Sequence, residues 1–224
     1  SVYTWRYRAN PRAMRSLVEL FCLRAAAQLE LGRGGEALED VLVLQKLADV
    51  AGSLPSLEAA TSRVFLFDYA VQCLWEGLTA RRWSDIDLRT IQAAFESVNL
   101  FADFDRHLRA DHELGNFTLE VLGFELPWAF SLFENQLLFR QLFFEHCLNV
   151  YSVEQSLVFP ERSRSADASL RDTPRHGLAF ALNQIPPMQK LSKGVARSQS
   201  YIHLVLVACA LERPENKLVA AVDL

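Results

Sequence analysis

Apolar residues recur at three- and four-residue spacing over most of this chain, the period of one face of an α-helix. Leu17, Leu20, Phe21, Arg24, Ala27 and Leu31 set the first stripe, behind Pro11, which suits a first helical turn. Gly32, Gly34 and Gly35 stop that helix, because glycine tolerates the left-handed backbone of a C-terminal cap. A second helix runs from Glu36 to about Ala51, with Leu38, Val41, Leu42, Leu44, Leu47 and Ala48 as its buried stripe, and Gly52 closes it.

Pro55 then suits the first turn of a third helix that reaches about Ala80. From Val64 onward its polar residues fall mainly at Asp68, Gln72 and Glu76, four apart, so one narrow stripe is left for solvent or a partner. This helix is expected to be central and packed on most sides. Ser84 precedes Asp87 by three positions, a capping-box start with Asp in place of Glu or Gln, and it predicts a fourth helix from Asp85 to Val98. Phe101 to Leu122 reads as a fifth, broken or weakened near Gly115, with a turn at Gly123 to Pro127. Leu132 to about Leu157 is a sixth, with Phe133, Leu137, Phe143, Phe144, Leu148 and Tyr151 facing inward.

Pro160 to Pro174, PERSRSADASLRDTP, has almost no large apolar side chains and reads as a linker or mobile loop. Phe180 to Leu182 belongs to a short helix before Pro186-Pro187, and Met188 to Arg213 is a last long helix ending at Pro214. No stretch combines apolar and polar alternation with turn signals at both ends, so no sheet is expected. The resulting organisation is a helical-hairpin stack over 1–159, a polar linker or loop over 160–174, and a helical segment over 175–224 that packs on the first part.

Composition agrees with a folded chain: half of the 224 residues are apolar and 15 are Phe, enough for a substantial core. The apolar run Val64 to Trp75 is broken by Asp68 and Gln72 and is too short to cross a bilayer, so no membrane-spanning segment is expected. Arg6, Arg8, Arg12 and Arg15 are not followed by the apolar stretch of a signal peptide. The chain opens on Ser rather than Met, which leaves the compartment of the complete gene product open. Charge is uneven. Residues 34–159 hold 8 Lys and Arg against 19 Asp and Glu, and residues 160–197 hold 7 against 3. An acidic body repels phosphates, so no nucleic-acid partner is expected, and a basic or amphipathic protein suits it better. Cys22, Cys73, Cys147 and Cys209 are far apart, form no CxxC pair, and read as buried helix residues.

Candidate chemistry is sparse. In Phe101 to Phe117, FADFDRHLRADHELGNF, helical spacing puts Asp103, His107 and Asp111 on one face, an imidazole between two carboxylates. Such a set offers ligands for a divalent ion or a carboxylate-oriented base, with His112 and Glu113 nearby. Against it, i and i+8 lie about 12 Å apart along the axis, too far to share one ion. The competing reading is a solvated face with Asp105 paired to Arg109. His146 and Cys147 are adjacent and diverge by about 100° on a helix, which disfavours a nucleophile and base pair. His176 reads as an exposed loop residue and His203 as a core histidine, while Trp75, Trp83 and Trp128 suit core packing or a ligand cavity between helices. No phosphate loop, HExxH or G-x-S-x-G motif is present, and no cofactor is implied.

Arg24 to Pro55 resembles a tetratricopeptide-type hairpin, through Ala26 and Ala27, Leu31-Gly32, Glu36-Ala37-Leu38 and a Leu-rich second helix. Wider segments are Trp75-Glu76-Gly77-Leu78, Arg82-Trp83-Ser84-Asp85 with Leu88, Leu100-Phe101-Ala102-Asp103-Phe104, and Ala208-Cys209-Ala210-Leu211-Glu212-Arg213. Together these resemble a group of uncharacterised bacterial helical proteins, many with an N-terminal membrane anchor; Pro214-Glu215-Asn216-Lys217 departs from that pattern. The resemblance implies an all-α stack of antiparallel helix pairs and transfers no catalytic residues. The expected function is a protein-interaction or scaffold module contacting its partner through Asp68, Gln72 and Glu76. A metal-dependent or hydrolytic enzyme centred on Asp103, His107 and Asp111, and a helical protein with a cavity for a hydrophobic ligand, are the alternatives.

Overall fold

The computed structural model describes residues 11–125, 137, 140–172 and 188–213. The fold is all-α. Its helices are α1 (Pro11–Glu30), α2 (Gly34–Ala51), α3 (Leu57–Thr79), α4 (Asp85–Phe95), α5 (Leu100–Glu125), α6 (Pro160–Asp172) and α7 (Met188–Glu212). A π-helical turn (Phe143–Cys147), a 3-10 turn (Leu148–Val150) and two short strands, β1 (Tyr151–Ser152) and β2 (Leu157–Val158), lie between α5 and α6. The chain forms two units that interleave along the sequence. One draws on Ser1–Val50, Phe65–Val98 and Ser200–Leu224, the other on Ala51–Val64 and Asn99–Gln199. Residues 160–172 belong to the second of these units.

In the first unit, α1 and α2 form a hairpin. Gly32 takes φ +74°, its N–H bonds to the Leu29 carbonyl, and the Arg33 N–H reaches the Gln28 carbonyl, the two bonds of a Schellman cap. Gly34 and Gly35 belong to α2 rather than to the stop. A Cβ at Gly34 would lie 2.5 Å from the Arg82 carbonyl oxygen, so the missing side chain lets α2 start against the α3–α4 corner. That corner is the Trp83 segment. The indole ring sits where α3 has no side chain, 2.2 Å from a Cβ built at Gly77, and its N–H donates to the Leu74 carbonyl at 3.0 Å. Ser84 and Asp87 close the expected capping box, and α4 ends at Phe95, three residues before the predicted limit. Phe67 and Phe95, both fully buried, meet edge to face at 6.0 Å. Helix α3 is central, as its pattern predicts, with Leu66, Phe67, Ala70, Val71, Cys73 and Leu74 buried.

Helix α1 turns the opposite face inward from the one expected. Val18, Ala25 and Leu29 are buried, whereas Leu17, Leu20 and Leu31 of the predicted stripe are exposed. The inward row has smaller side chains, which lets α1 lie close to its neighbours. Arg24 bridges the hairpin: its Nε donates to the buried Asp40 at 2.8 Å and its Nη2 bonds the second carboxylate oxygen.

In the second unit, Asn99 caps α5 through the Ala102 N–H at 3.0 Å, and the side-chain oxygen of Gln199 accepts from the Leu100 N–H at 2.7 Å. Helix α5 runs unbroken through Gly115, because one glycine costs about 1 kcal/mol, little for a helix of 26 residues. The predicted sixth helix stops at Val150, and an antiparallel pair follows, Tyr151 with Val158 and Ser152 with Leu157. This small sheet contradicts the expectation of none; its strands are two residues long, too short to show alternation. Leu137 and Phe144, expected inward, are exposed, Phe143 and Tyr151 are buried, and Phe133 lies outside the described residues.

The predicted linker is helix α6. Pro160 occupies its first position, Glu161 pairs with Arg164 one turn on, and the buried side is made of small residues, Ser163 and Ala166. The Ser163 hydroxyl meets the Ser192 hydroxyl of α7 at 3.4 Å, and the Asp167 carboxylate accepts from the N–H groups of Met188 and Gln189, both at 3.2 Å. A seam packed with small side chains needs none of the large apolar residues whose absence suggested a loop.

Two glycine substitutions separate close packing from open space. Gly77→Ala drives a methyl into the Trp83 ring and is expected to destabilise by about 1–3 kcal/mol. Gly194→Ala in α7, with nothing within 4 Å, is expected to stabilise by roughly 0.5–1 kcal/mol. Urea unfolding of both variants is the check, and Gly77→Ala at wild-type stability would contradict the packing at the corner.

Candidate functional site

The exposed face of α1 forms an apolar ridge. Leu20, Leu23 and Leu31 are 61%, 70% and 68% exposed, and Leu17 continues the row. Exposed leucines scattered singly need no explanation, but a row along one helix is a surface with an apolar binding capacity. The polar residues of α3 singled out in the sequence belong to the same unit. Gln72 and Glu76 are exposed and Asp68 half-buried, and the Gln72 amide donates to the Glu76 carboxylate at 3.3 Å. Arg15 pairs with Glu19 at 2.9 Å. Sequence periodicity missed the ridge because α1 carries two apolar rows and the larger side chains lie on the outer one.

Asp103, His107 and Asp111 do share one face of α5, and that face grips the segment that opens α3. Asp103 pairs with Arg63 at 3.2 Å and with Arg106 at 2.8 Å. His107 is 1% exposed; its Nε2 lies 2.7 Å from the Gly52 carbonyl and its Nδ1 2.5 Å from the Asp103 carbonyl. Asp111 accepts from the Leu57 N–H at 3.5 Å. Three side chains thus hold three points between residues 52 and 63. Neither ring nitrogen of His107 faces room for an ion, and among the described residues no group of three His, Cys, Asp or Glu side chains is placed to hold a metal. In the structure this face docks the segment that opens α3.

A second polar group in this unit joins α5 to β1. The Tyr151 hydroxyl donates to Asp105 at 2.7 Å and Arg109 Nε donates to the same carboxylate at 2.8 Å. Burial opposes ionisation of Asp105, but the bonds from Arg109 and Tyr151 outweigh it and hold the carboxyl below its ordinary range. Burial, then the bond to Asp105, pushes the Tyr151 hydroxyl up. The Asp105–Arg109 pair was legible from i,i+4 spacing, whereas Tyr151 comes from 46 residues away and left no local signal. His112 is buried and stacks on Phe143 at 4.1 Å; burial lowers its pKa, although Glu113 lies 3.3 Å away.

Other candidates resolve as packing or as surface. Cys147 and Cys209 are buried, which pushes their thiols up to about 12 and about 11. His203 is exposed rather than in the core, because the buried row of α7 runs through Ile202, Val205 and Cys209 instead. His176, Trp128 and the His146 side chain lie outside the described residues. Trp75 is half-buried, and Trp83 borders a cavity of about 190 Å³ with Arg81, Asp85 and Glu212, below the roughly 300 Å³ at which small-molecule pockets begin. Among the described residues α7 alone has the length and composition to cross a membrane, with a mean hydropathy of 1.2 over its most apolar window. Of that window, 33% is buried inside the protein, and Leu204, Val207 and Leu211 of the same helix are exposed. No known protein family, curated protein or solved structure matches the chain.

Replacing His107 tests its role as a docking residue. His107→Ala leaves the Gly52 carbonyl without its partner and opens a buried gap, with an expected loss of about 2–4 kcal/mol in urea unfolding. A loss below about 0.5 kcal/mol, the range of ordinary surface changes, would contradict the docking role. Asp105 gives a prediction in pH. Because the folded chain releases this proton more readily than the unfolded one, the carboxylate stabilises the fold above the ordinary Asp value of about 3.9, and the contribution disappears as pH falls below it. Thermal midpoints of Asp105→Asn are expected to fall less steeply than wild type below about pH 4, and parallel acid limbs would contradict the assignment.

Proposed function

We propose that this chain is a non-catalytic protein-interaction or scaffold module built from stacked helix pairs, of the tetratricopeptide-like kind. Its contact surface is the outer face of α1 with the Asp68, Gln72 and Glu76 stripe of α3. The observation that carries the reading is the exposed row of Leu17, Leu20 and Leu23 on α1, with Leu31 exposed just past its end, on a helix whose opposite row is buried in the core. Burying one leucine side chain contributes about 1.5–3 kcal/mol, so a few of them suffice for a micromolar complex once association costs are met. The occupant that fits is an amphipathic helix laying a leucine row on this ridge, with Lys or Arg on the flank that meets Glu19, Glu76 and Asp68. The excess of acid over base across residues 34–159 steers such a partner in and repels nucleic acid. Asp103, His107 and Asp111, on which the enzyme reading centres, are engaged in helix docking, and the cavity beside Trp83 is small for a hydrophobic ligand.

Two designed helical peptides test the proposal, one with a leucine row and Lys flanks and one with the same row and Glu flanks. The Lys-flanked peptide is expected to bind more tightly, and Leu20→Ser with Leu23→Ser, or Asp68→Lys with Glu76→Lys, to weaken it by roughly tenfold or more. Calorimetric titration reads both effects. Equal binding of the two peptides, or a loss seen only for Leu204→Ser on α7, would contradict this surface.

A further inference from the structure

Helix α7 keeps one face in solvent along its length. Helical geometry, at about 100° per residue, gathers Lys190, Lys193, Arg197, Tyr201, Val207 and Leu211 within about 60° of Leu204. All of them are exposed, and Leu204, Val207 and Leu211 are each more than half exposed. The opposite face is committed to the interior. Val195, Ile202 and Cys209 are buried there, and the buried Gln199 accepts from the Leu100 N–H.

The exposed face changes character in order along the helix axis. Its N-terminal half is cationic, Tyr201 stands at the boundary, and its C-terminal half is aliphatic. Asp and Glu do not occur from Met188 to Leu211, although the chain has 27 of them. A helix that docks in a protein groove carries its charges beside its apolar row; here they precede it. That order suits a lipid surface, where cations meet phosphates, an amphipathic tyrosine sits at the interface and aliphatic groups reach the acyl chains.

We propose that α7 docks the protein on an anionic membrane surface, with Lys190, Lys193 and Arg197 at lipid phosphates and Leu204, Val207 and Leu211 in the acyl boundary of one leaflet. From Tyr201 to Leu211 the face is about 15 Å long, half the roughly 30 Å of a hydrocarbon core, so the helix lies on the bilayer without crossing it. Crossing would also carry the buried Ser192, Ser198 and Gln199 into lipid. Binding of this kind is reversible and weakens with salt. It uses a different helix face from the α1 ridge.

The test sediments the full 224-residue chain with vesicles of phosphatidylcholine, alone or with about a third phosphatidylserine, at low and at physiological salt. Expected is partition into the anionic vesicles roughly tenfold or more above the neutral ones, reduced by salt. Lys190→Glu with Lys193→Glu lowers that partition by roughly tenfold or more, and so does Leu204→Ser with Leu211→Ser. Leu20→Ser with Leu23→Ser on α1 leaves it unchanged. Every substituted position is exposed, and circular dichroism verifies that each variant is folded. Equal partition into both vesicles, partition that survives both α7 variants, or none by the wild type would each overturn the proposal. So would a wild-type dimer that Leu204→Ser with Leu211→Ser dissolves, because a second copy of the chain would then cover this face.

Discussion

The first unit depends on how closely its backbones approach at one corner. The Trp83 indole can lie flat on α3 only because Gly77 has no side chain, and α2 can begin beside the Arg82 carbonyl only because Gly34 has none. The indole N–H then finds the Leu74 carbonyl, so a large aromatic group is buried without an unpaired polar atom. Around this corner the chain leaves α3 through Arg81, which takes a left-handed φ of 52°, and enters α4 through the Ser84–Asp87 capping box. Three helices are fixed by two absences of a methyl group and one hydrogen bond.

The same economy explains why the surface carries more information than the interior. Helix α1 meets the core through Val18, Ala25 and Leu29, a row of modest size, and its larger leucines remain outside. In the second unit, polar side chains that resemble chemistry in the sequence act as clamps. Asp103, His107 and Asp111 hold the segment before and at the start of α3, and Asp105 holds Tyr151.

Helix positions were legible because periodicity, glycine stops and the Ser84 cap are local signals, and α1 to α5 begin within a few residues of where these place them. The face of α1 was not legible, since two apolar rows at helical spacing compete and only the neighbours decide between them. Helix α6 escaped because its seam uses Ser163, Ala166 and Ser192, whose packing leaves no hydrophobic pattern. The Asp103, His107 and Asp111 face was correctly placed on one side of one helix, but its partner segment is set by tertiary folding.

The central claim is that α1 turns its small row inward and offers its leucine ridge outward. Carbene footprinting of the free chain, read residue by residue along α1, measures this directly. Heavy labelling of Leu20, Leu23 and Leu31 with protection of Val18, Ala25 and Leu29 is the predicted result. Protection of the leucines with labelling of Val18 and Leu29 would contradict it and remove the proposed surface.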